Sequence, residues 1–353
     1  MRILVTGGAG FIGSAVIRRA LATGHEVINL DKLTYAACLD NLRTVAGHAR
    51  YHFEHGDICN AAHLKRIFDT YQPEAVMHLA AESHVDRSID GPADFVQTNI
   101  NGTFHLVEAA RQFWMSRGAP RSFRFLHVST DEVFGTLGAT GYFSETSAYA
   151  PNSPYAASKA SSDHLIRAYG ETYDLPVIIT NCSNNFGPYQ FPEKLIPLAI
   201  QRALAAQPVP IYGKGAEVRD WLFVDDHAAA LLGVLAKGRV GEVYAIGGNA
   251  EHTNIDLVTK LCSILDQMRP KKEPYAKLVQ FVENRPGHDA RYAIDARKIK
   301  SELGWTPSHS FDARLRETVR WYLNNQVWVK NLSTRAGVGK RLGLSRQQAG
   351  IAA

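Results

Sequence analysis

The sequence predicts an α/β fold, a doubly wound parallel sheet followed by a smaller C-terminal α/β lobe. Three observations lead there. Short apolar strands alternate with helical segments from Ile3 to Thr180, the rhythm of a parallel sheet with helices on both faces. Glycines crowd the first strand-to-helix turn, Gly7-Gly8-Ala9-Gly10-Phe11-Ile12-Gly13. An acid, Asp31, closes the second strand.

The first strand is Ile3-Leu4-Val5-Thr6, and the helix after it runs from Ser14 to Ala22 with Ala15, Val16, Ile17, Ala20 and Leu21 on one side. Bare backbone at Gly7, Gly10 and Gly13 permits a tight turn and lets a pyrophosphate reach amide N–H groups at a helix N-terminus. Glu26-Val27-Ile28-Asn29-Leu30 then delivers Asp31, 18 residues beyond Gly13, where a carboxylate can accept hydrogen bonds from a ribose. A 2′-phosphate would be repelled there, which favours NAD over NADP, although Lys32 blurs the distinction. Together these features read as a dinucleotide-binding Rossmann unit.

The alternation continues. Tyr51–His55 is a third strand that ends in Gly56-Asp57-Ile58, placed for the adenine edge. Ala61–Thr70 is helical. Ala75–Leu79 is a fourth strand, and the small residues Ala80 and Ala81 after it let backbone lie against a cofactor. Ala93–Met115 reads as one long helix, Phe123–Val128 as the next strand, and Val177–Thr180 as another. Beyond Asn181 prolines shorten the elements. Helices are expected at 193–206, 224–237, 255–268, 295–303 and 311–325, with short strands near 209–212, 243–246 and 278–282. The predicted organisation is a nucleotide-binding domain over 1–182, a mainly substrate-binding lobe over 183–330 and a basic tail over 331–353.

Composition narrows the class. Hydrophobic residues make up 45% and charged residues 21%, ordinary for a soluble globular protein. Cys38, Cys59, Cys182 and Cys262 lack metal or disulfide spacing, so no metal is expected and reduced thiols in a cytoplasm fit best. Arg2-Ile3-Leu4-Val5 enters a strand at once, which argues against a signal peptide. The net charge of +5 resides in Lys330, Arg335, Lys340, Arg341 and Arg346; the other 34 basic residues balance 34 acidic ones. Nothing in the body suggests a nucleic-acid groove or a membrane span, and the tail is expected to be dispensable.

The chemistry concentrates between Ser129 and Lys159. Thr130, Asp131 and Glu132 follow a strand, at the end where open α/β sheets place their ligands. Tyr155 and Lys159 are four apart on a helix introduced by Pro151 and Pro154, so phenol and ammonium share a face. An ammonium beside a phenol favours the phenolate and lowers its pKa from the usual ~10 towards neutrality, which suits a base for an alcohol. Arg219, Arg285 and Lys194 lie in or beside Gly/Pro-rich loops, where they can grip a phosphorylated ligand.

These motifs carry a resemblance. The chain is similar to the extended short-chain dehydrogenase/reductases, and within them to the nucleotide-sugar 4,6-dehydratases that act on dTDP-glucose in deoxysugar biosynthesis. His78–Ser88, Ser129–Val133, Ser183–Tyr189, Tyr212–Gly215, Arg219–Leu222 and Arg285–Asp289 all fit, and the match covers roughly 1–330. Asp131-Glu132 is the discriminating pair, because sugar epimerases of the superfamily look different there. An epimerase, a dehydratase for UDP- or GDP-sugars, and a non-catalytic NAD-binding sensor are the alternatives.

The resemblance implies NAD contacts from Gly7, Gly10, Phe11, Ile12, Gly13, Asp31, Lys32, Thr34, Asp57, Ile58, Leu79, Ala80, Ala81, Ser83, Thr98, Tyr155, Lys159 and Asn185. It implies sugar-nucleotide contacts from Ser83, Thr130, Asn184, Lys194, Leu195, Pro210, Tyr212, Arg219, Asn254, Arg285 and His288. The catalytic set would be Thr130, Asp131, Glu132, Tyr155 and Lys159. A homodimer through the 93–115 and 154–173 helices is also implied. Ala36-Ala37-Cys38-Leu39 and the ending beyond Lys330 depart from the family pattern.

Overall fold

The computed structural model describes residues 1–335. Strands β1 (Arg2–Thr6), β2 (Glu26–Asp31), β3 (Tyr51–His55), β4 (Ala75–His78), β5 (Arg124–Thr130) and β6 (Val177–Cys182) alternate with helices α1 (Phe11–Ala22), α2 (Ala61–Tyr71), α3 (Val85–Asp90), α4 (Pro92–Phe95), α5 (Thr103–Ser116) and α6 (Pro154–Tyr173). After them come β7 (Asn184–Phe186), α7 (Leu195–Leu204), β8 (Val209–Tyr212), β9 (Val218–Phe223), α8 (Val224–Lys237), β10 (Val243–Ile246), β11 (Glu251–Thr253), α9 (Asn254–Met268) and β12 (Val279–Val282). Helices α10 (Arg297–Leu303), α11 (Phe311–Asn324) and α12 (Gln326–Ser333) complete the chain as far as it is described.

The central sheet has seven parallel strands in the order β10-β6-β5-β4-β1-β2-β3. Strand order turns around between β1 and β4, and at that switch point the C-terminal ends of the strands diverge to leave a crevice. The strands are apolar on both faces: Ile3, Leu4 and Val5 of β1, Val27 and Ile28 of β2, and Phe125 and Leu126 of β5 are all completely buried. Such strands need helices on both faces, and the flanking helices supply them.

The sequence reading of this half needs two corrections. The segment from Ala93 to Met115 is not one regular helix: α4 and α5 are joined by a π-helical stretch over Val96–Gly102. A wider turn re-aims side chains, and here Thr98 faces the crevice while Asn99 clips the β4 loop, accepting from Glu82 N (2.9 Å) and donating to Glu82 O (3.0 Å). Apolar periodicity alone does not register an inserted residue. The second correction concerns the division of the chain at 182. β10 pairs with β6 as the edge of the central sheet, and α8 packs against α1, so both belong to the Rossmann layer rather than to the lobe.

The lobe is built on β11-β9-β7 and β12-β8, with α7, α9, α11 and α12 around a core containing Phe186, Ile200, Trp221, Leu261, Leu315 and Tyr322. Strand β9 escapes a sequence reading because Arg219 and Asp220 interrupt its apolar run; both side chains are buried. Helix α12 also escapes it, and the proposed tail boundary at Lys330 falls inside that helix. Leu332 is buried in the lobe core, Trp328 Nε1 donates to Asn41 Oδ1 (2.9 Å), and Arg335 donates to Tyr35 O (3.0 Å) and Ala37 O. Lys340, Arg341 and Arg346 lie outside the described residues.

Candidate active site

Two cavities meet at the C-terminal edge of the sheet. The first runs over the switch point and is lined by every residue that the sequence assigns to the dinucleotide, from Gly7 to Asn185. The second lies between α3, α7 and the small sheets and takes in Leu195, Pro210, Tyr212, Arg219, Asn254, Arg285 and His288. Glu132, Asn184 and Lys194 line both. Ser83 and Thr130, expected to touch the sugar, open into the first.

The glycine turn is as tight as its spacing implies. Gly7 has φ +72°, and a Cβ there would stand 2.8 Å from Ala80 backbone; one at Gly13 would stand 2.2 Å from Gly7 O. Gly10 gives α1 no side-chain cap, so the amides of its first turn remain available to an anion. Asp31 is fixed by Ala9 N on Oδ2 (2.9 Å) and Leu33 N on Oδ1 (2.8 Å). Burial raises its pKa, and those two amides oppose the rise. A carboxylate with its remaining lone pairs towards the cleft fits ribose hydroxyls. Lys32 is engaged by Asp57 (3.3 Å) and Thr98 (3.4 Å), so it is not held ready for a 2′-phosphate. These residues fit a dinucleotide without that phosphate.

At the other end, α6 starts where Ser153 Oγ accepts from Ala156 N (3.1 Å) and Pro154 occupies the first turn. Tyr155 and Lys159 both reach the cleft from this helix, and both are buried. Here the structure adds a force that spacing does not show. Burial drives the Tyr155 pKa well above its ordinary value, Glu132 and Cys182 push the same way, and Thr130 hydrogen bonding opposes them. Lys159 is itself lowered by burial and donates to Val128 O (3.0 Å) rather than to the phenol. In a dry site desolvation works against the phenolate, so the charge of Lys159 and that of a bound nicotinamide have burial to overcome.

The two acids differ. Asp131, in the turn after β5, is 1% exposed; Thr130 Oγ1 donates to its Oδ1 (3.3 Å), and Oδ2 has no partner among the described residues. Burial raises its pKa far above the usual carboxylate range, with Glu132 and Asp220 adding to the effect. Glu132 is also raised by desolvation, but Arg285, Lys194 and Arg219 pull it back. Adjacent carboxyls in unequal fields divide into a proton donor and a proton acceptor.

The cations are held by partners that the sequence reading missed. Asp86 accepts from Arg285 Nη1 and Tyr212 OH, both at 2.9 Å. Arg219 donates to Asp289 O (2.9 Å) and lies 4.2 Å over the Tyr292 ring. Arg87 grips Glu193 through two 3.0 Å bonds and covers the Tyr35 ring at 3.9 Å, tying the lobe to the β2 loop. Asp86 and Arg87 stand in a motif that supports the resemblance, but only the fold brings Arg285 and Glu193 to them.

A family profile described as GDP-mannose 4,6 dehydratase matches residues 4–318. The chain belongs to this family. Among its relatives, a dTDP-glucose 4,6-dehydratase of Salmonella typhimurium is 56% identical over 348 residues, spanning 95% of this chain and 96% of the relative. Among solved structures, dTDP-glucose 4,6-dehydratase from Bacillus anthracis in complex with NAD is similar at 44% identity and a TM-score of 0.84, over 94% of this chain and 99% of that one. UDP-glucose 4-epimerase from Thermotoga maritima follows at 31% identity and a TM-score of 0.82, over 92% of this chain and 100% of that one. The fold is thus shared with an epimerase and does not by itself choose the reaction.

Proposed function

We infer that this chain performs the reaction of its dTDP-glucose 4,6-dehydratase relatives, a hydro-lyase that uses NAD and yields dTDP-4-keto-6-deoxyglucose. The observation that carries the reading is the unequal carboxyl pair, Asp131 buried with its Oδ2 unpartnered among the described residues and its pKa raised, and Glu132 faced by three cations, beside Tyr155 and Lys159. An epimerase has no use for such a pair, because it expels no hydroxyl.

NAD, when bound, would supply the group that accepts hydride from C4 of the sugar and gives it back at C6. Tyr155, ionised by losing its proton to solvent once Lys159 and the positive charge of a bound nicotinamide face it, removes the 4-OH proton, with Thr130 supplying a hydrogen bond near O4. The 4-keto group acidifies C5–H. Glu132 takes that proton, and Asp131 gives its proton to the departing 6-OH, which leaves as water. Glu132 then returns a proton to C5 as hydride reaches C6. At the end Tyr155 holds one extra proton and Asp131 lacks one, so a single proton passing between them, directly or through water, restores the site. Gly7, Gly10, Gly13 and Asp31 hold the pyrophosphate and ribose, with Asp57, Ile58 and Thr98 along the adenosine. Arg219, Arg285, Lys194 and Asn254 hold the sugar nucleotide.

The chain also reads as one half of a homodimer. Val96, Phe104 and Met115 along α5 and its π-helical lead-in, with Tyr173 at the end of α6, are large hydrophobics more than 40% exposed, and an apolar face on two adjacent helices suits a two-fold bundle. Sedimentation at micromolar concentration tests this, and a monomer would contradict it. Four free cysteines and the lack, among the described residues, of a helix able to cross a membrane support a cytoplasmic location. The reaction is tested by incubating the protein with dTDP-glucose and with UDP-glucose and following the alkali-induced chromophore of a 4-keto sugar. Formation from dTDP-glucose supports the reading; an isomerised sugar without the chromophore would overturn it.

A further inference from the structure

Behind Lys159, away from the sugar, lies a buried group that the reaction above does not use. Asp163 is one helical turn beyond Lys159 on α6 and 2% exposed. Its Oδ2 accepts from Ser129 Oγ (2.7 Å), Tyr149 OH (2.9 Å) and Asn181 Nδ2 (3.4 Å). Three donors converging on one oxygen leave no room for a proton on that oxygen. Its Oδ1 lies 3.1 Å from His127 Nε2. The same Nε2 lies 3.4 Å from Lys159 Nζ.

The other groups around the ammonium are neutral. His127, completely buried, is pushed down to about 4 by burial and by Lys159 itself. His78 on β4, whose ring is 5.1 Å from that of His127, is kept uncharged by burial and bonded to Thr6 and Thr103. From β6, burial pushes the Cys182 thiol up, and on α6 it pushes the Tyr155 phenol up. The negative charge of Asp163 opposes the burial that would strip Lys159 of its proton.

We propose that Asp163, acting across His127, is a positioning residue that keeps Lys159 charged and in place beneath Tyr155. A buried ammonium without a counter-charge sheds its proton, and Tyr155 would then lose the positive charge that favours its ionised form. Asp163 touches neither sugar nor cofactor, so its influence should appear in the pH dependence rather than in substrate affinity.

The inference rests on the dehydratase reading, and the test separates the two. The pH dependence of kcat/KM for dTDP-glucose is measured on the full chain carrying NAD, for the unaltered protein, Asp163→Asn, Asp163→Glu and His127→Gln. Bound cofactor and melting temperature are checked for each. An unaltered protein that forms no 4-keto sugar at any pH would strike the dehydratase reading itself. If the unaltered protein is active, Asp163→Asn is expected to move the alkaline limb about one to two pH units lower, with KM within about twofold. Asp163→Glu, which restores the charge, should leave the limb in place, as should His127→Gln. Asp163→Asn that loses activity equally at every pH would show a structural role only and overturn the proposal. Should Asp163→Asn not fold, His127→Gln decides: an alkaline limb that falls while Asp163 is intact assigns the effect to His127 and refutes the role of Asp163.

Discussion

The two cavities that meet at Glu132 are built by different means. The dinucleotide side is made of backbone and of side chains locked to backbone: the α1 amides, Asp31 held by Ala9 N and Leu33 N, and glycines whose missing Cβ atoms let β1, α1 and the β4 loop touch. The sugar side is made of charges that reach one another across the chain. Asp86 and Arg285 are 199 residues apart, and Arg87 and Glu193 are 106 apart. One side is therefore broken by adding atoms, the other by removing charges. The following variants test that contrast.

The largest effect is expected from Gly13→Val, since a Cβ at this position would overlap Gly7 O. The protein should purify without NAD, read from the absorbance of a deproteinised extract, and lose at least about 10²-fold in turnover. A variant that retains full cofactor would show the turn to be looser than its geometry.

Next comes Leu332→Ala. Leu332 is 1% exposed in the lobe core, on the helix that leads to Arg335 and its bonds to the β2 loop. Truncating a buried leucine costs about 2–5 kcal/mol, so thermal melting should fall by several degrees, and removal of everything after Lys330 should fall further. The sequence reading expected that truncation to leave turnover within a few-fold. Unchanged melting of both variants would show that the helix end adds nothing to the stability of the lobe.

A smaller and more selective effect is expected from Asp86→Asn. It leaves Arg285 without its counter-charge and Tyr212 with a weaker acceptor. KM for dTDP-glucose should rise about tenfold, equivalent to 1.4 kcal/mol, with kcat within a few-fold. A fall in kcat at constant KM would mean that Asp86 serves chemistry rather than binding.

The smallest effect is on stability. Asp131 has its folded-state pKa raised by burial, so the unfolded chain holds fewer protons at this site than the native protein between the two pKa values. The site then contributes nothing below the unfolded-state pKa near 3.8 and destabilises increasingly as pH rises towards the folded-state value. Asp131→Asn should therefore melt higher than the unaltered protein, with a gap that is wider at pH 8 than at pH 5. A gap that narrows with pH would mean that the carboxylate is ionised and paired.

The same contrast explains what was legible in the sequence. Glycine spacing, Asp31, the Thr130-Asp131-Glu132 turn and the Tyr155/Lys159 pair are local patterns, and local backbone geometry places them. Periodicity located most helices but missed the π-helical stretch at Val96–Gly102, because one inserted residue barely disturbs an apolar pattern. Strand β9 was hidden by Arg219 and Asp220, whose burial depends on Asp289 O and on the amides of Gly248 and Ala250. The burial that opposes ionisation of Tyr155 was hidden for a related reason: spacing shows which charge is near, whereas desolvation depends on everything packed around the phenol.

The central claim is that oxidation and elimination belong to different residues of one site. It is tested most directly by single turnover of Tyr155→Phe and Asp131→Asn on dTDP-glucose, with quenched sugars and the reduced-nicotinamide band followed together. A positioned acid or base contributes about 10²–10⁴-fold, roughly 3–5 kcal/mol of barrier. Tyr155→Phe should return unchanged dTDP-glucose and develop no band. Asp131→Asn should develop the band and accumulate a 4-keto sugar that still carries its 6-OH. If Asp131→Asn instead forms the deoxysugar at the unaltered rate, or fails to oxidise C4 at all, the division of labour is wrong.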